Sequence, residues 1–128
     1  MSSALATADA EMVWNRGCDK GGAGVGDVAL FAAIAFHSVA MNGGVLHALT
    51  FRSATEVDAA INGYRYFELE GAANTLELGS QVLAFEGESE ELETLLNEQY
   101  GKCMPVDDVL HEKFLAALQE RPGDFAPI

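Results

Sequence analysis

The sequence predicts an all-α fold: a compact bundle of about six or seven helices around a central apolar helix, forming one domain over residues 1–128. Three observations lead there. Apolar residues recur at the 3.6-residue helical period in successive segments. Ser, Asp, Gly and Pro fall where such segments would start and stop. No segment shows the period-two alternation of a half-buried strand, and no repeat marks a solenoid.

Residues Ser3 to Arg16 have helical composition, with Leu5, Met12, Val13 and Trp14 as apolar anchors. The glycines of GCDKGGAGVGD then predict a loop over 17–27. The next segment, DVALFAAIAFHSVAM, is apolar around its whole circumference, the pattern of a helix enclosed by others, with Asp27 capping its start. Its most apolar run, Val28 to Met41, is shorter than the roughly 20 residues of a membrane span and contains His37 and Ser38. Asn42, Gly43 and Gly44 supply left-handed-tolerant residues that close a helix, and a short helix over Val45 to Phe51 follows.

Ser53 with Glu56, or Thr55 with Asp58, fits the capping-box spacing ahead of Val57, Ala60, Ile61, Tyr64 and Phe67. A second amphipathic segment carries Leu69, Ala72, Ala73, Leu76 and Leu83, with Gly71 or Gly79 as breaks and VLAF read as helix. Ser89 caps a helix whose buried stripe is Leu92, Leu95, Leu96 and Tyr100, with Gly101 as its stop. Pro105 and Asp107-Asp108 punctuate again before a last helix built on Val109, Leu110, Phe114, Ala117 and Leu118. Pro122 and Gly123 end it, leaving an extended tail over 122–128.

Charge narrows the function classes. With 20 Asp and Glu against 7 Lys and Arg, the net charge is −13. Direct nucleic-acid binding rests on cationic side chains neutralising phosphates, so this balance opposes it, and an anionic membrane surface is disfavoured likewise. The first twelve residues, MSSALATADAEM, show neither a basic stretch nor a continuous apolar stretch of an export signal, so a cytoplasmic protein with free thiols at Cys18 and Cys103 is expected.

Motifs for chemistry are weak. GGAGVGD, Gly21 to Asp27, presents glycines ahead of a helix, but a phosphate loop needs Lys and then Ser or Thr where Asp27 and Val28 stand. Cys18 lies two residues from Lys20, a neighbour that can lower a thiol pKa, without an assigned base. His37 and His47 flank the Asn-Gly-Gly turn, and neither has a co-ligand at the i+3 or i+4 spacing of a helix-borne zinc site. The expectation is no metal, no cofactor and no catalytic set. The alternative is a small enzyme or ligand-binding domain, in which His37 and His47 meet across the turn with Cys18 or Asn42. The plainer reading places His37 against helix-end carbonyls and His47 beside the turn.

The stronger signal is acidic. Between Arg65 and Lys102 there is no basic residue, while Glu70, Glu77, Glu86, Glu88, Glu90, Glu91 and Glu93 accumulate with Glu68 and Glu98. Glu70 and Glu77 share a helix face by their seven-residue spacing, as do Glu91 and Glu98. Two neighbouring helices would then display one negative surface for a basic protein, the plainer alternative being a solvated polar face.

The segment from Asp27 to Leu83, above all AMNGGVLHAL followed by INGYRYFELEGAANTLE, resembles a bacterial domain family of unknown function typified by an acidic DNA-mimic protein. The resemblance is carried by Asn42, Gly43 and Gly44 after an apolar helix, then by a capped helix leading to Gly71 and Ala72. The family usually has an aromatic residue directly after Asn-Gly-Gly and a Gln two residues later, where this chain has Val45 and His47; Ala48 replaces another commonly aromatic position. The resemblance implies an all-helical fold. For the typified member it implies DNA mimicry, in which carboxylates imitate phosphates and occupy a DNA-binding protein. The resulting expectation is a non-enzymatic acidic module that binds a basic protein, in the finer reading a DNA-binding one.

Overall fold

The computed structural model describes residues 3–106 and 108–127, with side chains from residue 10 onward. It is all-α: α1 (Ser3–Asp19), α2 (Val25–Gly43), α3 (Val45–Phe51), α4 (Ala54–Tyr66), α5 (Glu70–Glu86), α6 (Glu90–Cys103) and α7 (Asp108–Glu120), then one 3-10 turn, Pro122–Asp124. No strand occurs among the described residues.

Local chemistry sets most of the helix starts. At α4 the Ser53 Oγ accepts from Glu56 N (3.2 Å) while Glu56 Oε1 accepts from Ser53 N (3.0 Å). Both orphan donors are satisfied, so the first of the two predicted capping registers is the one used. The bond from Ser53 N, reinforced by the Ser53 side chain and by Arg52, holds the Glu56 carboxyl below its ordinary range. At α6 the Ser89 Oγ accepts from Leu92 N (3.0 Å). Gly44, at φ 94°, closes α2 and opens α3 at once, with its N–H donating to Ala40 O (2.8 Å). That positive φ is why glycine stands there.

Helix α2 lies at the centre, packed against α1, α3, α4, α7 and the 3-10 turn. Leu30, Ala33, Phe36 and Ala40 form its buried face. Gly63 of α4 lets the two backbones approach until a Cβ there would lie 2.6 Å from Ala29 O. Beside this crossing, Tyr64 meets Phe36 edge-on at 6.5 Å.

Several sequence expectations need correction. The predicted 17–27 loop is shorter: α1 runs to Asp19 and α2 starts at Val25, because Gly17 packs beneath Leu30 and Gly26 beneath Phe125 as parts of helices. Asp27 is therefore not the cap of α2 but sits inside its first turn, three residues after the capping Gly24. Nor is α2 enclosed all round, since Val25, Val28, Phe31 and Met41 are exposed. At 19 residues and mean hydropathy 1.4 it is long and apolar enough to cross a membrane, longer than the Val28 to Met41 run suggests. Gly71 and Gly79 do not break α5, because Leu49 and Leu96 pack closely onto the space that a side chain at Gly79 would fill. Gly101 does not stop α6, which continues to Cys103. Met12 is exposed rather than an anchor, whereas Val13 is buried; Leu5 and Asp107 lie outside the described side chains.

The tail is not extended throughout: residues 122–124 form the 3-10 turn, and the backbone is extended at Phe125. It is fastened by Asp27, whose carboxylate is 1% exposed. Oδ2 accepts from Ala126 N (2.6 Å) and Gly24 N (3.1 Å), and Oδ1 accepts from Arg16 Nη2 (2.8 Å). Arg16 also donates to Ala126 O and Pro127 O, so one buried ion pair joins α1, α2 and the C-terminal segment.

Candidate functional site: an acidic rim around an apolar groove

Helix α5 ends at Glu86, where Gly87, at φ 76°, donates its N–H to Leu83 O (3.0 Å); Glu88 and Ser89 complete a short connection into α6. The two helices share buried contacts through Leu76, Gly79, Leu92 and Leu96. On their outer side Leu78, Val82, Leu92 and Leu95, together with Glu86, Gly87, Ser89 and Glu91, line an open groove of about 550 Å³. Leu78 and Leu95 remain 44% and 41% exposed. Phe85, seven residues after Leu78 and so on the same face of α5, is 91% exposed. A neighbouring depression is lined by Glu90, Glu91, Thr94, Leu95 and Glu98.

The structure divides the predicted acidic set. Glu70 and Glu77 share a single cation, Arg65, at 3.4 Å each, so they are only partly compensated and one negative charge remains among the three groups. Arg65 precedes the acidic stretch in sequence, and the packing of α4 on α5 turns its side chain back across them. Glu86, Glu88, Glu90, Glu91 and Glu93 are exposed, and no Lys or Arg among the described residues pairs with them. Of these, Glu86, Glu90 and Glu91 border the groove or the adjoining depression, whereas Glu88 and Glu93 line neither.

Helix energetics separate these charges further. Glu90, Glu91 and Glu93 occupy the first turn of α6, where the helix dipole favours a carboxylate. Glu86 is the last residue of α5, where the partial negative charge of the terminal carbonyls opposes it, and no basic residue shares that turn. Its position runs against the stability of its own helix.

The apolar part of the site escaped the sequence reading. Leu95 belongs not to the buried stripe of α6 but to the groove, because α5 covers only the Leu92 and Leu96 side. A signal was present: beside its buried residues, LELGSQVLAF carries Leu78, Val82 and Phe85 at i, i+4 and i+7, a second apolar stripe that one core-facing surface cannot hold.

The histidines go to different places. His37, 8% exposed, meets Tyr100 Oη through Nδ1 (2.7 Å), and Tyr100 Oη in turn meets Tyr64 Oη (2.6 Å). Burial pushes the Tyr64 hydroxyl well above the ordinary phenol range. His47 is exposed, stacked on Phe51 at 5.7 Å and lying against Gly43. His111 packs edge-on against Trp14 at 4.7 Å. Asn42 and Gly43 are exposed, while Gly44 faces Asn97, whose Oδ1 accepts from Val45 N (3.1 Å) and ties the turn to α6. No group of three or more His, Cys, Asp or Glu side chains placed to hold a metal occurs among the described residues. Cys18 and Cys103 are free thiols, and partial burial raises the Cys18 pKa, opposite to the direction expected from Lys20.

No family model, curated protein or solved structure matches this chain. What the site offers is an open apolar floor beside a cluster of carboxylates.

Proposed function

We propose that this chain is a non-enzymatic, acidic protein-binding module that engages a basic protein through the glutamates at the α5–α6 junction. In the finer reading it acts as a DNA mimic on a DNA-binding protein. The observation that carries the proposal is the concentration of Glu86, Glu88, Glu90, Glu91 and Glu93 around one connection without a cationic neighbour among the described residues. Mutual repulsion among these charges is relieved when a positive surface docks. The same field accelerates encounter with such a surface.

The test displaces a fluorescent DNA duplex from a basic histone-like DNA-binding protein. Adding the chain at low ionic strength is expected to release the duplex. Release should fall as salt shortens the screening length to about 10 Å near 0.1 M. An E86K/E91K double variant with an unchanged helical spectrum is expected to release far less. Displacement that ignores salt, or a variant that displaces as well as the parent, refutes the proposal.

A further inference from the structure

From the groove between α5 and α6 we infer a more specific partner: an amphipathic cationic helix of another protein, its apolar stripe seated on Leu78, Val82 and Leu95 and its basic residues against Glu86, Glu90 and Glu91. This rests on the acidic-surface reading and adds a shape to it. The floor is not the polar surface that charge mimicry alone requires: Leu78 and Leu95, which line it, are each more than two-fifths exposed, and Phe85, on the Leu78 face of α5, is 91% exposed.

Two packed helices present a furrow into which a third helix fits by the ridge-and-groove packing that built the first pair. The stripe from Leu78 to Phe85 spans seven residue steps, about 10 Å of helix at 1.5 Å per residue. An occupant therefore brings anchors at i, i+3 or i+4, and i+7, the usual signature of a helix in a groove.

Charge decides between occupants. A second copy of this chain seated on the groove would bring its own Glu86, Glu90 and Glu91 against the same residues, and like charges brought together oppose association. A nucleic acid meets the same repulsion. A helix with Lys or Arg flanking its apolar stripe satisfies both the floor and the rim.

The test uses two synthetic Leu/Lys peptides of identical composition, one with its leucines in a single helical stripe and one with them scattered around the helix. Titrated against the full chain, the striped peptide is expected to bind at least tenfold more tightly, and to keep part of that preference when salt is raised. In F85A/L95A, which removes one almost fully exposed side chain and one that is 41% exposed, the helical spectrum is expected to be kept and the striped-peptide preference to be lost, as for loss of apolar anchors. Equal, salt-sensitive binding of both peptides overturns the helix-in-groove inference and leaves the acidic-surface reading standing. Binding of neither overturns both. A preference that survives in F85A/L95A refutes this groove as the seat. Sedimentation that shows a dimer dissociated by the same variant assigns the groove to a second copy, which also overturns the inference.

Discussion

Replacing Asp27 with alanine removes the acceptor on which three segments converge, and its cost follows from who loses a partner. Arg16 suffers least, since it remains partly exposed and keeps the carbonyls of Ala126 (2.9 Å) and Pro127 (3.1 Å). The N–H groups of Gly24 and Ala126 lose a charged acceptor, and hydrogen bonds to charged groups contribute roughly 1.5–3 kcal/mol each. Breaking one side of a buried ion pair costs about 3–5 kcal/mol, and the partial exposure of Arg16 puts this case near 3. That is a large share of the roughly 5–15 kcal/mol that holds a domain folded. Urea unfolding followed by circular dichroism is the assay. With a slope near 2 kcal/mol per molar, the midpoint is expected to fall by about 1.5 M. D27N retains one acceptor but turns an amide N–H toward backbone donors, so it should fall in between. A midpoint shift in D27A below about 0.5 M would show that the C-terminal segment is not held by this carboxylate.

Three further outcomes are expected. G63A places a methyl 2.6 Å from Ala29 O at the α2–α4 crossing and should destabilise by about 1–3 kcal/mol, whereas G101A, with nothing within 4 Å, should stabilise α6 by about 0.5–1 kcal/mol; thermal melts of both decide. E86K replaces an anion with a cation at the C-terminus of α5 and should raise the melting temperature by roughly 1–4 °C at low salt, with the gain fading at high salt. The same substitution should weaken binding to a basic partner, so stability and affinity move in opposite directions. Alkylation of Cys18 should be slower at neutral pH than that of a free thiol reference and should rise with pH through a higher midpoint, because partial burial disfavours its thiolate.

The sequence by itself determined the helical class, the Ser53 and Ser89 caps, the short helix after Gly44 and the local excess of glutamate. Each depends on bonds or charges within about one turn of chain, where spacing alone decides which groups meet. Tertiary structure decided which apolar residues are covered and which charges are neutralised, because those depend on neighbours supplied from far along the chain. Leu76 and Leu78 are the same residue type two positions apart, yet the packing around α5 buries the first and leaves the second at the groove. Glu77 shares Arg65 of another helix with Glu70, while Glu86 has no such ion-pair partner among the described residues. Asp27 reads as a cap until Ala126, 99 residues away, arrives to use it. His37 reads as a helix-end residue until Tyr100 meets it across 63 residues. Burial and pairing are properties of the assembled surface, and no local pattern specifies which element arrives to complete it.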